Sequence, residues 1–171
     1  SKWSNKELAK RLSVMLTERI DPELMTCEQV VAMGRYPYTN HFGSLTPGDR
    51  QVVEESLHMV RAEELAERPF TDISDGQRQR IMLARAICQQ PEIIVLDEPT
   101  SGLDGTNMRN VSRMIRKLAK MGRTIIVITH DAECALACCE RAIRLENGCI
   151  TDDFQIRGAE LLLDKIGYDK K

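Results

Sequence analysis

The chain has 171 residues, which is enough for one domain with a full hydrophobic core. Its 24 basic and 26 acidic residues give a formal net charge of −2, so no overall field attracts nucleic acid or an anionic membrane. The six cysteines form no Cys-x-x-Cys pair and the three histidines are widely spaced, which argues against a zinc site.

A short helix and a strand are predicted at the start of the chain. Ser4 is a plausible N-cap for a polar helix over Asn5–Arg11, and the apolar run Leu12–Leu16 is typical of a strand. Thr26–Arg35 then predicts a capped helix, which ends where Pro37 forces the preceding residue into an extended conformation.

A second helical stretch follows. Thr46 is a capping threonine, Pro47 occupies the first turn, and Asp49 stands three residues after the cap, which together predict a helix start. Apolar residues then recur at helical spacing: Val53, Leu57 and Val60. With a further short helical piece at Ala62–Arg68, residues 17–72 are expected to form a helical segment around few apolar side chains.

The start of the next predicted helix has the features of an anion site. Ser74 is a good N-cap, and the first N–H groups and the positive end of the helix dipole favour a bound anion. Gly76 leaves room for a phosphate to approach the backbone closely. Asp75, however, places a carboxylate at the same point, and this would repel a phosphate unless it points outward.

Two carboxylates follow the most apolar run of the chain. Ile93–Leu96 predicts a strand buried on both faces of a parallel sheet. Asp97 and Glu98 come at its carboxyl end, where open α/β sheets place ligands, and are expected to point in opposite directions because side chains alternate along a strand. One carboxylate of such a pair can hold a hydrated magnesium ion while the other polarises a water molecule.

The last third of the chain alternates helix and strand. Met108–Leu118 predicts an amphipathic helix that ends at Gly122. Thr124–Thr129 is predicted as the next buried strand, and His130 follows it at the same edge of the sheet as the two carboxylates, where an imidazole can donate a hydrogen bond to a phosphate. Asn147-Gly148 lies between two further apolar runs and predicts a β-hairpin.

Four motifs, in this order, resemble those of the ATP-binding subunits of ABC transporters. Ile73–Gln77 resembles the signature motif, Ile93–Glu98 the Walker B motif with its catalytic glutamate, Ser101–Asp104 the D-loop, and Ile128–His130 the H-loop. Met33–Tyr38 with the following Phe42 resembles the branch that imports iron siderophores, haem and cobalamin. The likeness covers nearly the whole chain and implies an α/β fold, namely a partial P-loop NTPase fold with a parallel-sheet core and a helical subdomain.

The resemblance implies a role for each candidate residue, with ATP and Mg²⁺ as ligands. Glu98 would polarise the attacking water and His130 would contact the γ-phosphate, so these two are the catalytic candidates. Asp97 would hold the metal through water, and Thr17, which stands where the family has the Q-loop glutamine, is a second candidate metal ligand. The nucleotide-binding candidates are Ser74, Asp75, Gly76, Gln77 and Asp104.

By the same resemblance, residues 1–16 would end the N-terminal part of the ATPase core and residues 17–90 would form the helical subdomain with the signature helix. Residues 91–155 would be the C-terminal half of the core, and residues 156–171 a last helix and tail. No glycine in the sequence is followed by lysine, so a phosphate-binding loop of the Gly-Lys-Ser/Thr type is not among these residues. We therefore expect the C-terminal two-thirds of a longer subunit, inactive by itself.

The main hypothesis is an ATPase that powers the import of an iron chelate or a cobalamin-like solute. Its partners would be a second ATP-binding subunit in a head-to-tail dimer and transmembrane permease subunits at the cytoplasmic face of the plasma membrane, with no nucleic acid. The alternative is a non-catalytic ABC-like module that docks on a membrane subunit or a partner ATPase. A soluble ABC protein of DNA repair or translation is a weaker hypothesis.

Overall fold

The computed structural model describes residues 3–16, 22, 24–39 and 43–156. Its α-helices are α1 (Asn5–Arg11), α2 (Cys27–Ala32), α3 (Pro47–Met59), α4 (Asp75–Cys88), α5 (Gly105–Lys120) and α6 (Ala132–Cys138). Its strands are β1 (Leu12–Met15), β2 (Ile93–Asp97), β3 (Thr124–Ile128), β4 (Arg141–Glu146) and β5 (Cys149–Gln155). The α/β class is thereby confirmed, while Thr17, Phe42 and the last predicted helix lie outside the described residues.

Three parallel strands form the sheet that positions the candidate site. Their order is β1-β2-β3, and Val95 in the centre lies opposite Val14 on one side and Ile126 on the other. Helices α4 and α5 pack on one face, where Ile94 and Leu96 are fully buried. Because all three strands run in the same direction, their carboxyl ends meet at one edge, as the sequence predicts.

The prediction that two of these strands are buried on both faces is wrong. Val14 and Ile126 are each 48% exposed and Ile128 is 52% exposed, while Val95 between them is half-buried. Burial alternates along β2 and β3 because, within the described ranges, the core that the helices form lies against one face of the sheet. Apolar composition alone does not distinguish a covered face from an uncovered one.

The helical region between β1 and β2 has a larger core than the sequence suggests. Helices α2, α3 and α4 pack against one another, and the loops between them add further side chains to the same cluster. The fully buried members include Val30, Val31, Val53, Leu65, Phe70 and Ile81. The expectation of few apolar side chains fails because several of these residues lie in short elements, where helical periodicity is not visible.

The predicted helix boundaries in this region need two corrections. Helix α2 ends at Ala32, and the chain continues as a 3₁₀-helix over Met33–Tyr38 that includes Pro37, whose fixed φ is compatible with helical turns. The predicted helix at Ala62–Arg68 is reduced to a 3₁₀-helix at Glu63–Leu65. Both segments are fixed by tertiary contacts rather than by a regular helical stripe.

Two other elements agree with their predictions. Helix α5 buries Val111, Ile115 and Leu118 on one face, as its spacing indicates. The β4–β5 hairpin turns at Asn147-Gly148, where both residues have positive φ (49° and 78°), the conformation that this dipeptide favours. None of the described helices has the length and hydrophobicity needed to cross a membrane.

Candidate active site

The candidate site lies where the chain turns sharply at the carboxyl end of the central strand. Strand β2 ends at Asp97, and Glu98 adopts a φ of +47°, a left-handed conformation that is uncommon for a residue with a side chain. The N–H of Glu98 donates to the carbonyl of Ile128 at 2.8 Å, which fastens the turn to the end of β3. The strand alternation that the sequence suggests therefore does not extend to Glu98, whose side chain is placed by this turn. We call Glu98–Ser101 the Glu98 turn.

Three hydrogen-bonding contacts hold the Glu98 carboxylate. The Thr129 hydroxyl donates to Oε2 at 3.1 Å, the backbone N–H of His130 donates to Oε1 at 3.0 Å, and His130 Nδ1 lies 2.7 Å from Oε1. The side chain of Glu98 is 20% exposed, whereas that of His130 is 86% exposed. The structure thus brings the two catalytic candidates together, with the carboxylate shielded and the imidazole open to a ligand.

The contact with Glu98 changes the protonation of His130. The hydrogen bond to the Glu98 carboxylate, and then its negative charge, raises the pKa of His130 above the ordinary value of 6.5, with a further contribution from Asp131. When the ring is protonated, Nδ1–H donates to Glu98 and leaves Nε2–H as a second donor. The histidine can therefore hold the carboxylate and present a donor to an anion at the same time.

Asp97 is the candidate metal ligand that the structure describes. It is the last residue of β2, half-buried, and it pairs in register with Ile128 at the same edge as Glu98. Mg²⁺ is usually bound through one or two carboxylates together with phosphate oxygens and water, and a carboxylate at this edge fits that requirement. Among the described residues, no three His, Cys, Asp or Glu side chains form a group suited to a metal ion.

Four nucleotide-binding candidates lie together at the start of α4. Ser74 caps the helix, since its hydroxyl accepts from the N–H of Gln77 at 3.4 Å while the Gln77 amide oxygen accepts from the Ser74 N–H at 2.9 Å. Asp75 is exposed at the first helical position. The side chain of Gln77 therefore completes a capping box, a local role that the resemblance did not imply.

Gly76 is in close contact with the start of α5. A Cβ built at Gly76 would lie 2.9 Å from Asn107 Nδ2 and 3.0 Å from its Cγ, so an alanine would displace this side chain. The sequence explains the glycine by the approach of a phosphate, and the structure adds this packing reason. Asn107 belongs to none of the recognised motifs and was missed. Its position three residues after the helix cap Asp104 is a signal that could have indicated its contact with that cap.

Asp104, the remaining nucleotide-binding candidate, is already engaged by its own helix. Its Oδ1 accepts from the N–H groups of Thr106 at 2.9 Å and Asn107 at 2.8 Å, and its Oδ2 accepts from Asn107 Nδ2 at 3.0 Å. These hydrogen bonds, led by that from the Asn107 backbone, lower the pKa of Asp104. Asp104 is thus the N-cap of α5, and its contact with a second subunit stays a prediction.

A second residue missed in the sequence is Gln79, in the second turn of α4. Its Nε2 donates to the carbonyl of Pro99 at 2.9 Å and, more weakly, to the carbonyl of Glu98 at 3.4 Å. Helix α4 therefore contacts the Glu98 turn through a side chain. The two positions are about twenty residues apart, so no local pattern reveals the contact.

Comparisons with known proteins agree on one family. The family model described as ABC transporter matches residues 1–101. The chain is 46% identical over 143 residues to an uncharacterised ABC transporter ATP-binding protein of Methanocaldococcus jannaschii, covering 83% of this chain and 49% of that protein. It is 34% identical over 150 residues to the iron(3+)-hydroxamate import ATP-binding protein of Bacillus subtilis, covering 87% and 56%. It is also 35% identical over 149 residues to the hemin import ATP-binding protein of Rhodococcus jostii, covering 85% and 49%.

Solved structures give the same result. A metal-chelate-type ABC transporter in an inward-facing conformation matches with a TM-score of 0.79 at 30% identity, over 86% of this chain and 59% of that one. A dimeric ATP-binding cassette in a post-hydrolysis state with ADP and Pi matches with a TM-score of 0.75 at 28% identity, over 92% and 69%. The chain spans about half the length of the curated relatives it matches.

Proposed function

The chain belongs to the ABC transporter family, and we propose that it carries the catalytic carboxylate of an ATPase subunit that powers the import of an iron chelate or a cobalamin-like solute. The proposal for an iron chelate is supported by the relatives, which include import ATP-binding proteins for iron(3+)-hydroxamate and hemin. The cobalamin-like solute is supported only by the resemblance of Met33–Tyr38 to that importer branch.

One observation carries the proposed chemistry, namely the restraint of Glu98 at the edge of the sheet. Its carboxylate is held by Thr129 and His130, and its side chain is 20% exposed, which leaves room to polarise a single water molecule. His130 would donate to the γ-phosphate through its outer nitrogen. Asp97 would hold magnesium, which when bound with ATP neutralises charge on the phosphate oxygens.

The proposed assembly follows from the position of the signature residues. Ser74–Gln77 lie at the start of α4, where helix N–H groups and the dipole favour a phosphate. In a head-to-tail dimer these residues would contact the nucleotide of the partner subunit, and the dimeric cassette that matches this fold supports such a pair. Transmembrane permease subunits would bind the dimer at the cytoplasmic face of the plasma membrane.

The direct test is Glu98→Gln in a full-length subunit, which combines these residues with a phosphate-binding loop. The amide keeps the shape of the side chain but accepts no proton, so steady-state phosphate release should fall by about 10²- to 10⁴-fold while Mg-ATP binding is retained. Glu92→Gln is the matched control, since Glu92 lies just before the opposite end of β2 and its side chain is 65% exposed. Turnover like wild type in Glu98→Gln would refute the role.

A second candidate function is a non-catalytic ABC-like module that docks on a membrane subunit or a partner ATPase. Asp75 favours it, because an exposed carboxylate at the start of α4 opposes the approach of a phosphate. The same assay separates the two functions. A full-length wild-type subunit that binds its partner but releases no phosphate from Mg-ATP would establish the module and exclude the enzyme.

A further inference from the structure

The backbone of the Glu98 turn is held from two sides. On one side, the N–H of Glu98 donates to Ile128 in β3. On the other side, the carbonyls of Glu98 and Pro99 accept from the side chain of Gln79 in α4, at 3.4 Å and 2.9 Å. Within the turn, the N–H of Ser101 donates to the Glu98 carbonyl at 3.1 Å.

This arrangement matters because Glu98 has a left-handed backbone. A residue with a side chain keeps such a conformation only when its surroundings hold it there, and such residues are concentrated at functional sites. Of the hydrogen bonds described for the turn, those from Gln79 are the ones that come from α4. Gln79 is half-buried, and its amide is therefore partly shielded from competing water.

A second contact joins the start of α4 to the start of α5, the helix that follows the Glu98 turn. The amide of Asn107 lies against Gly76 in the first turn of α4 and also donates to Asp104, the N-cap of α5. The segment from Glu98 to Asn107 is thus fastened to α4 at both ends, by Gln79 near its start and by Gly76 near its end. A displacement of α4 would consequently be transmitted to this segment.

We propose that Gln79 is a positioning residue that sets the backbone of Glu98 from the helix that begins with the signature residues. This inference rests on the proposed ATPase function. In a head-to-tail dimer, the start of α4 would contact the partner's nucleotide, while Glu98 acts in the site of its own chain. Gln79 would then link the occupancy of one nucleotide site to the alignment of the carboxylate in the other.

The test compares variants of Gln79 in a full-length subunit. Gln79→Leu removes the donor at similar volume, and Gln79→Glu keeps the shape but places oxygen atoms against two carbonyls. Both should lower kcat by about tenfold or more, in line with the loss of a hydrogen bond, with KM for Mg-ATP unchanged and Tm lowered by only a few degrees. Gln51→Leu is the control, because the exposed Gln51 on α3 donates only to Glu55 among the bonds described and should retain wild-type kcat.

A second measurement tests the same contact without activity. In Gln79→Leu, hydrogen–deuterium exchange should rise in residues 98–104, which include the amide of Ser101, and should not change in the β4–β5 hairpin. Unchanged exchange and unchanged kcat would overturn the inference. A large loss of Tm with faster exchange in the β4–β5 hairpin as well would also overturn it, because it would indicate a general packing role. A wild-type subunit without turnover would refute the proposed function, and the exchange result would still decide whether Gln79 holds the turn.

Discussion

The helical region, residues 25–39 and 43–88, and the sheet region, residues 93–104 and 124–131, differ in how completely their side chains are covered. The helical region buries Phe70 and Val30 completely and encloses the Arg35–Asp49 ion pair, whose side chains are each 7% exposed. The sheet region packs on the same core through Ile94 and Leu96, but its other face is uncovered among the described residues. Hydrogen bonds from Gln79 and to Ile128 hold the backbone of the Glu98 turn, in which Pro99 and Thr100 are buried. The comparison shows that the proposed site lies where burial is least complete.

The comparison predicts the largest loss of stability in the helical region. Phe70→Ala in the 171-residue chain should lower the free energy of unfolding by about 3–5 kcal/mol, because the ring is fully buried and its removal leaves a cavity. The Arg78 guanidinium, 4.9 Å from the ring centroid, would lose its aromatic partner as well. Urea unfolding followed by circular dichroism measures the change.

The control for Phe70 is an aromatic residue of the same region that is open to solvent. Tyr36 is 78% exposed, so Tyr36→Ala should change the free energy of unfolding by about 0.5 kcal/mol or less. Equal losses for the two variants would mean that the helical region is not the stable part of the molecule.

The same contrast explains how far the sequence predicts the structure. Helix starts at Ser4, Thr26, Thr46 and Ser74 are all confirmed, because a cap and its partner lie three residues apart. The shared edge of β2 and β3 is confirmed as well. Each strand is recognisable as an apolar run, and parallel strands end at the same edge. The burial of Phe70 was not predicted, since no helical periodicity marks the short segment that holds it and its N–H bonds to the distant Met25 carbonyl.

Contacts inside the candidate site show the same limit. The motifs indicate Glu98 and His130 as neighbours, and the structure places Nδ1 of the histidine 2.7 Å from the carboxylate. Gln79 was missed because its partners belong to another element, and Asn107 because its contact with Gly76 joins two helices. The left-handed φ of Glu98 was also missed, because nothing in a Leu-Asp-Glu-Pro sequence requires it.

The next prediction concerns His130, at the edge of the sheet region. In a full-length subunit, His130→Ala should lower phosphate release by about 10²- to 10³-fold, because a donor to the developing phosphate charge is lost. Tm should change little, since the ring is 86% exposed and contributes no apolar packing. A loss below threefold would show that His130 has no catalytic role.

The pH dependence of the wild type gives a second measurement on the same residue. Because Glu98 and, to a lesser extent, Asp131 raise the pKa of His130 above 6.5, the ring gains its proton as pH falls through that raised value. The charged ring holds the Glu98 carboxylate through Nδ1–H and keeps Nε2–H for the phosphate, so phosphate release should decline as pH rises, with a midpoint above 6.5. The paired state adds stability that is fully present below 6.5 and is lost as pH rises through the folded pKa. His130→Ala should lack this alkaline limb, and a limb that persists unchanged would assign it to another group.

The smallest effect is expected on the open face of the sheet, and a matched pair of substitutions measures it. Ile126 in β3 is 48% exposed, whereas Ile94 in β2 is 1% exposed and points to the helical side. In the 171-residue chain, Ile126→Thr should change the free energy of unfolding by about 0.5 kcal/mol or less, because threonine keeps the β-branched shape in a solvated position. Ile94→Thr should cost about 1–3 kcal/mol, because it buries a hydroxyl among apolar side chains.

The difference between these two costs reports directly on what covers the sheet. If Ile126→Thr costs as much as Ile94→Thr, the face is covered in solution, and a cost that rises with protein concentration would identify a second copy as the cover. Repeating the pair in a full-length subunit separates the remaining cases. If Ile126→Thr lowers the free energy of unfolding in the full-length subunit but not in the 171-residue chain, another part of the subunit packs on this face. Ile126 would then make apolar contacts on its face of the sheet, as Ile94 already does on the helical side.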